Sequence, residues 1–256
     1  MDKFKINGPS KIRGEVSISG SKNAALPILA ATLLFDKNVT IKNLPRVKDI
    51  DTMLNLLKSL GRKISFKNNK KIATISKGKK NNFFAPYSLV KTMRAGILVL
   101  GPLLAKNKKA KVSSPGGCSI GVRPIDIHLK AISKLGVKIQ IEKGYVNAKA
   151  QDGLVGSEIR FSKISVGATE NSILAACLAK GTTTIKNCAI EPEIKDLTNF
   201  LKTAGAKIKW IGKRTLKIEG VKTLKSITYS IMNDRIEAGT FCCLLYTSPS
   251  PRDRFL

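Results

Sequence analysis

The pattern of apolar and polar positions repeats three times along the chain. In each copy, apolar residues at helical spacing lead to a glycine, and a segment that alternates between apolar and polar residues follows it. The copies occupy residues 56–64, 131–139 and 200–208. Because glycine readily adopts the left-handed conformation that closes a helix, each copy is predicted to be a helix that ends near its glycine and continues into a strand.

Two shorter segments recur as well. Ile28–Ala31 recurs as Ile173–Ala176, and Thr40–Asn43 recurs as Thr184–Asn187. One unit therefore reads as a helix, a short strand, a second helix and a strand pair, in a βαβαββ arrangement. Such a unit is too small to bury a core of its own, so three of them are predicted to pack their helices together inside an α/β (α+β) domain.

The first unit defines the predicted elements. Its short strand covers residues 39–41, and its strand pair covers 63–66 and 71–75. Residues 4–19 also alternate like a strand but stand outside the repeat. Three helices are rich in Ala, Leu and Ile on most faces, as buried helices are; they are predicted over 24–34, 91–104 and 167–179.

The charge balance is strongly basic, since 46 Lys and Arg against 17 Asp and Glu give a net charge of +29. The lysines are scattered over predicted helices and strands, and the densest runs, 77–80 and 106–111, contain no interleaved aromatic residues. Nucleic-acid binding is therefore not favoured, although the charge would attract small polyanions.

The cysteines and the N-terminus indicate the compartment. The five cysteines show no paired spacing, so neither a disulfide framework nor a metal site is predicted, and no cofactor is expected. The first residues lack the apolar core of a signal peptide, and no run approaches the ~18 apolar residues of a membrane span. These features predict a cytoplasmic protein without a membrane partner.

The segment Pro115–Pro124 is the main candidate for chemistry. Two glycines precede Cys118, a third follows it, and Arg123 places a fixed cation five residues beyond the thiol. Two prolines and three glycines predict a loop rather than a helix or a central strand. A thiol on a cationic loop suits chemistry on an anionic substrate. A tight turn with a buried structural cysteine is the alternative interpretation.

Five further segments accompany this loop in a fixed order: Ile18–Pro27, Leu89–Ala95, Ser165–Asn171, Glu191–Ile194 and Asn233–Glu237. Each is weak alone, but with the loop and the triple repeat the chain resembles the UDP-N-acetylglucosamine 1-carboxyvinyltransferases, an enolpyruvyl transferase family, up to about residue 241. The resemblance implies transfer of the enolpyruvyl group from phosphoenolpyruvate to the 3-hydroxyl of UDP-N-acetylglucosamine, with release of phosphate. This is the first committed step of peptidoglycan synthesis.

The resemblance also implies roles for individual residues. Cys118 would be the acid that protonates the methylene carbon, and the residue that fosfomycin attacks. Lys22, Asn23 and Arg123 would contact phosphoenolpyruvate. The contacts to the nucleotide sugar would come from ten residues: Arg94, Arg123, Pro124, Ile125, Asp126, Ile127, Lys163, Ile164, Ser165 and Val166.

Four other polar residues receive weaker interpretations. His128 is predicted to be structural or supporting rather than a general base. Glu191 and Glu193 are either a functional carboxylate pair or partners for the surplus lysines. Asp234 resembles a family position near the domain junction and is given a supporting role.

The family fold has two domains of three βαβαββ units each, with the active site between them. By resemblance, residues 1–21 are a strand segment of the second domain, 22–231 are the first domain and 232–242 are a stub of the second. Residues 243–256 shift abruptly in composition and are predicted to be a non-native, adapter-like tail. Most of the second domain, with its general base, would then be missing, so the chain alone would be nearly inactive.

Two alternative functions stay open. One is the sister reaction on 3-phosphoshikimate, which shares the fold but whose enzyme lacks such a cysteine loop. The other is a non-catalytic module that binds polyanions through the net positive charge. An assay with each acceptor would distinguish the reaction on 3-phosphoshikimate from the reaction on the nucleotide sugar. Retention of the chain on heparin, unchanged by added nucleotide sugar, would favour the polyanion-binding module.

Overall fold

The fold was examined in a computed structural model that describes residues 3, 5, 14–80, 82–114 and 125–247. Its strands are β1 (Val39–Lys42), β2 (Arg62–Lys67), β3 (Ile72–Lys77), β4 (Phe84–Ala85), β5 (Lys109–Ser113), β6 (Lys138–Glu142), β7 (Tyr145–Lys149), β8 (Glu158–Arg160), β9 (Thr182–Lys186), β10 (Lys207–Gly212), β11 (Thr215–Glu219) and β12 (Ile227–Ser230). Its helices are α1 (Lys22–Ala31), α2 (Lys48–Ser59), α3 (Tyr87–Val90), α4 (Leu100–Asn107), α5 (Asp126–Ser133), α6 (Val166–Ala176), α7 (Pro192–Thr203) and α8 (Arg235–Thr247). Two 3₁₀ helices cover Thr32–Leu34 and Arg94–Val99.

The strands form three four-stranded sheets with equivalent topology. Their strand orders are β12-β1-β3-β2, β4-β5-β7-β6 and β8-β9-β11-β10. In each sheet the first pair is parallel and the other two pairs are antiparallel. The predicted triple βαβαββ repeat is therefore confirmed. The outer parallel strand of the first sheet, β12, follows the third unit in the sequence. Its pairing with β1 therefore links the third unit back to the first and closes the three units into a ring.

The repeated glycines and asparagines have the backbone conformation that the repeat requires. Gly61, Gly136 and Gly205 have φ angles of 93°, 84° and 96°, which confirms that each closes its helix in the left-handed region. Asn43 and Asn187 both have φ near 56° and each donates from Nδ2 to a main-chain carbonyl at 3.0 Å. The Thr-Ile-Lys-Asn repeat thus ends a strand with a residue that tolerates left-handed backbone.

The core lies among the helices. Helix α6 contacts α4, α5 and α7, and α1 contacts α2 and α7. Residues Ala24–Ala31 of α1 and Ala168–Ala176 of α6 are buried throughout, including the polar residues within α6. No helix among the described residues combines the length and the apolarity needed to cross a membrane.

The predicted helix over 91–104 is wrong in its first half. A 3₁₀ helix covers Arg94–Val99, and the α-helix begins only at Leu100. Pro102 explains the late start, because proline has no N–H to donate and its ring would clash with the carbonyl four residues earlier, whereas it fits the first turn of a helix. The chain turns between α3 and this 3₁₀ helix, and Arg94 is exposed rather than buried in the core.

The predicted strand over 4–19 is also not formed in its described part. Residues 14–19 have no strand assignment, because no described strand lies beside them to complete the backbone hydrogen bonds. Pairing begins only at Gly20, which forms an isolated antiparallel bridge with Asn233. Around this bridge, the Ser21 N–H donates to the Met232 carbonyl and the Asp234 N–H donates to the Ser19 carbonyl, both at 2.8 Å.

A carboxylate at Asp36 joins two parts of the fold. It accepts hydrogen bonds from Lys106 Nζ on α4 at 2.7 Å and from Lys77 Nζ on β3 at 2.8 Å. The hydrogen bonds from Lys106 and then Lys77 lower the pKa of Asp36 from 3.8 to about 2. The pairs are partly exposed, so solvent screens them and each contributes below about 1 kcal/mol.

We expect Asp36→Asn to lower the free energy of unfolding at pH 7 by up to about 1 kcal/mol. The pKa of Asp36 is lower in the folded chain, so its contribution is complete above the unfolded pKa of 3.8 and disappears as the pH falls towards 2. Urea unfolding at pH 7 and pH 3 measures this. Asp152→Asn, in an exposed turn, is the control, and equal stability of the two variants at pH 7 would contradict the assignment.

Candidate functional site

A cleft of about 630 Å³ opens where α1, α6, α7 and α8 begin, beside the 3₁₀ helix Arg94–Val99 and α5. We call it the central cleft. Its charged lining residues are Lys22, Asp49, Lys91, Arg94, Glu170, Glu191, Glu193 and Arg235. Asn23, His128, Val166 and Gly167 complete its polar and small surfaces. Residues from all three repeats therefore meet at one concave site.

Lys22 and Asn23 form the first turn of α1. Ser21 caps this helix, since its Oγ accepts a hydrogen bond from the Ala24 N–H at 3.3 Å. Lys22 Nζ forms an ion pair with Asp49 Oδ2 at 3.0 Å, and the Lys22 N–H donates to Asp234 Oδ2 at 3.3 Å. The lysine side chain is 43% exposed, so this ion pair leaves it accessible from the cleft.

His128 is a buried, uncharged member of the cleft wall. Burial and then nearby Arg94 lower its pKa from 6.5 to about 4, whereas Asp126 acts in the opposite direction. The ring is therefore neutral at pH 7. A charged imidazole would be required for acid catalysis at this pH, so the environment gives His128 a structural part in the wall.

Asn171 fixes the orientation of the His128 ring. Asn171 Nδ2 lies 3.0 Å from the Ile97 carbonyl and 3.4 Å from His128 Nδ1, and its Oδ1 accepts from the Gly101 N–H at 2.8 Å. The amide can donate one hydrogen to each acceptor, which places the ring proton on Nε2. The Cβ of any residue other than glycine at Gly167 would lie 3.0 Å from His128 Cε1, so this glycine lets the ring reach the cleft.

Three carboxyl groups of the cleft lining, those of Glu170, Glu191 and Glu193, lie close enough to interact, and we call them the acidic wall. Glu170 is 5% exposed and Glu193 is 4% exposed, and both lie at the cleft surface with Glu191. Arg235 binds Glu193 through two contacts, Nε to Oε1 at 2.9 Å and one terminal nitrogen to Oε2 at 3.3 Å. Within the described residues, Glu191 Oε2 is buried without a hydrogen-bond partner. Burial, followed by the negative charges of Glu193 and Glu191, raises the pKa of Glu170 from 4.5 to about 8.

The structure brings together only part of the predicted nucleotide-sugar set. Arg94 and Val166 line the central cleft with Lys22 and Asn23, and their contacts with a ligand stay predictions. The other described members of the set lie outside the cleft lining: Ile125, Asp126, Ile127, Lys163, Ile164 and Ser165. Cys118, Arg123 and Pro124 lie outside the described residues.

The residues outside the lining have other contacts. Asp126 begins α5 and pairs with Lys130 at 3.7 Å on an exposed face, while Ile125 and Ile127 pack on the core. Lys163 and Ile164 are exposed. Ser165 caps α6, since its Oγ accepts from the Ala168 N–H at 3.3 Å. Their predicted contacts with a nucleotide stay predictions.

Sequence reasoning missed Asp49, Glu170 and Arg235 as members of the cleft. Glu170 had a usable signal, because it is the one charged residue in a helix that is rich in apolar residues and predicted to be buried. Asp49 and Arg235 lie in ordinary polar contexts that give no such signal. Within the described ranges, no group of His, Cys, Asp and Glu has the arrangement of a metal site.

The comparisons with known proteins agree with this architecture. The model of the EPSP synthase (3-phosphoshikimate 1-carboxyvinyltransferase) family matches residues 6–248. Two proteins with the name UDP-N-acetylglucosamine 1-carboxyvinyltransferase are 65% identical, from Pelagibacter ubique, and 51% identical, from a Psychrobacter species; each match covers 94% of this chain.

Solved structures share the fold at lower identity. The enolpyruvyl transferase NikO from Streptomyces tendae matches with a TM-score of 0.81 at 22% identity, over 93% of this chain and 56% of that chain. An EPSP synthase from Acinetobacter baumannii matches with a TM-score of 0.73 at 19% identity, over 89% of this chain and 52% of that one. This chain spans 57% and 56% of the length of the Pelagibacter and Psychrobacter relatives. The chain belongs to the EPSP synthase (3-phosphoshikimate 1-carboxyvinyltransferase) family of enolpyruvyl transferases.

Proposed function

We propose that this chain carries one half of the active site of a UDP-N-acetylglucosamine 1-carboxyvinyltransferase. The observation that carries the proposal is the 65% identity to a protein of that name, together with a cleft in which Lys22, Asn23 and Arg94 converge. The reaction would transfer the enolpyruvyl group of phosphoenolpyruvate to the sugar 3-hydroxyl and release phosphate. We place this activity in the cytoplasm, as the entry step of peptidoglycan synthesis.

The charges of the cleft suit this pair of substrates. Both substrates carry phosphate, and Lys22, Lys91 and Arg94 supply cations on one side of the cleft. Arg94 can bind a phosphate through two parallel N–H donors, whereas Lys22 acts as a point charge at the start of α1, where backbone N–H groups also favour an anion.

The proposed chemistry assigns the proton transfer to Cys118. Its thiol would deliver a proton to the methylene carbon of phosphoenolpyruvate while the sugar oxygen bonds to the neighbouring carbon and loses its own proton to a general base of the proposed second domain. The resulting tetrahedral ketal would lose a proton from that former methylene carbon and expel phosphate, which leaves the enol ether. Cations near Cys118 favour its thiolate, so bound substrate anions would be needed to keep the thiol protonated.

We further propose that residues 22–231 form the first domain and that 1–21 and 232–242 connect to a second domain, with 243–256 as a non-native tail. The bridge between Gly20 and Asn233 supports this division, because both connecting segments leave the three-sheet domain side by side. We propose that the central cleft faces this second domain and that the active site lies between the two.

The sister reaction on 3-phosphoshikimate is a second candidate, since the matching family model has that enzyme's name. The cysteine loop and the names of the 51–65% identical relatives favour the nucleotide sugar. Saturation-transfer NMR with each acceptor separates the two, because a ligand is detected even when it binds weakly. Binding of 3-phosphoshikimate but not of UDP-N-acetylglucosamine would overturn the proposed function.

We expect Arg94→Ala to weaken UDP-N-acetylglucosamine binding by about tenfold or more. A hydrogen bond to a charged group contributes about 1.5–3 kcal/mol, which corresponds to roughly this loss. The affinity is measured by calorimetric titration of the chain. Arg160→Ala, on β8 and outside the cleft, is the matched control. An unchanged affinity in Arg94→Ala would contradict the assigned contact.

A further inference from the structure

Glu170 is a buried carboxyl group in the central cleft that the proposed chemistry does not use. It lies one turn into α6, close to the glycine that faces His128, and only 5% of it is exposed. It is the one acidic residue of α6. A carboxyl group at such a position is costly to ionise unless a cation lies against it.

Over the described residues, the three carboxyl groups of the acidic wall lie close to one arginine, Arg235. Arg235 uses its Nε and a terminal nitrogen on Glu193. Glu191 Oε2 is buried and lacks a hydrogen-bond partner within the described residues, and the Glu191 charge acts on Arg235 without a hydrogen bond from it. Ionisation of Glu170 would add another like charge to a site that already holds two. The arrangement therefore favours a proton that stays on the Glu170 carboxyl group.

The elements packed around α6 define which other groups could change this balance. The cleft lining includes Arg94 from the 3₁₀ helix, His128 from α5 and Lys22 from α1, and all three elements contact α6. It also includes Glu191 and Glu193, at the start of α7, and Arg235. The remaining elements against α6, namely α4, β9 and β11, contribute no charged residue to the described cleft lining.

We propose that Glu170 is a positioning residue that holds a proton in the cleft at neutral pH, and that this neutral carboxyl group allows an anionic ligand to lie beside Glu191 and Glu193. This inference rests on the proposed function and extends it, because it makes affinity for the nucleotide sugar depend on a proton held by the protein. The neutral group can also donate a hydrogen bond to the ligand, which a carboxylate cannot. Its raised pKa of about 8 agrees with this role.

The test is calorimetric titration of UDP-N-acetylglucosamine into the 256-residue chain between pH 7 and pH 9. If only the protonated form binds, the affinity falls about tenfold over this range, in proportion to the protonated fraction. Glu170→Gln keeps a neutral side chain of the same shape at every pH, so its affinity should stay constant from pH 7 to pH 9. The control Glu219→Gln, on β11, should retain the fall.

The outcomes separate this inference from the proposed function. A wild-type affinity that is constant with pH, or a fall that persists in Glu170→Gln, overturns the role of Glu170 and leaves the function intact. Absence of nucleotide-sugar binding by the wild type at every pH overturns the proposed function, and with it this inference.

A measurement on the wild type alone keeps the test independent of the variant's folding. NMR of the chain with ¹³C-labelled glutamate should show one side-chain carboxyl group that titrates near pH 8. Titration of every glutamate below pH 6 would overturn the inference.

Discussion

Replacement of Glu170 by glutamine is expected to stabilise the folded chain by about 2–3 kcal/mol at pH 7. The pKa of Glu170 is about 8 in the folded chain against an ordinary 4.5. The unfolded chain therefore gains stability from ionisation at this pH, whereas the folded chain does not. Glutamine removes this difference, and the cost of burying its own amide reduces the gain.

The direction with pH follows from the raised pKa. Both states of the wild type are protonated below about pH 4.5, so Glu170 has no pH-dependent cost there. As the pH rises towards 8, only the unfolded state loses the proton, and the wild type becomes progressively less stable. Above pH 8 both states are ionised, and the full cost of about 5 kcal/mol is reached.

Urea unfolding at pH 5, 7 and 8 measures this effect. The difference between Glu170→Gln and the wild type should be small at pH 5 and should grow with pH, whereas Glu219→Gln should follow the wild type. A difference that is constant with pH would mean that glutamine changes packing rather than ionisation.

The second large effect is expected at Gly101, where α4 packs against Asn171 and Ala175 of α6. An added Cβ at Gly101 would lie 2.5 Å from the Asn171 carbonyl oxygen, 2.6 Å from Asn171 Oδ1 and 3.2 Å from the Ala175 nitrogen. These are mainly backbone atoms or a hydrogen-bonded amide, so a simple side-chain rotation cannot relieve the clash. The two helices would have to separate.

We expect Gly101→Ala to lower the free energy of unfolding by about 3 kcal/mol. Overpacking in a dense core costs about 1–3 kcal/mol, and loss of the buried hydrogen bond from Gly101 to Asn171 adds about 1–3 kcal/mol. The higher helix propensity of alanine offsets about 1 kcal/mol of this. Thermal and urea unfolding give the change directly.

Gly239→Ala in α8 is the matched control for Gly101→Ala. No atom lies within 4 Å of a Cβ added at Gly239, so this variant should be as stable as the wild type or slightly more stable. The pKa of His128 is an additional readout, since displacement of Asn171 would loosen the ring and bring its pKa closer to 6.5. Equal stability of the two variants would show that α4 and α6 adjust without cost.

Stability and ligand binding are linked through the same helix. Asn171 joins α6 to Gly101 on α4 and to His128 on α5, and the adjacent Glu170 faces the cleft. The close approach at Gly101 therefore fixes the depth at which α6 places its carboxyl group. A change in this packing is expected to alter both the stability of the domain and the electrostatics of the central cleft.

The sequence by itself determined the three repeated units and which of their helices are buried. The three helix–glycine–strand segments specify three equivalent units, because helical spacing, alternation and left-handed glycine are properties of neighbouring residues. The apolar composition of α1 and α6 likewise required that these helices be buried. The family relationship followed from the order of short segments such as Ile18–Pro27 and the cysteine loop.

Tertiary structure alone decided the ring closure and the composition of the cleft. The pairing of β12 with β1 joins residues nearly two hundred positions apart, and no local pattern encodes that distance. The charge state of Glu170 depends on its burial and on Glu193 and Glu191, which reach it only through packing of α6 against α7. Periodicity reports how a segment folds, but a pKa depends on all charges within a few ångströms, whatever their positions in the sequence.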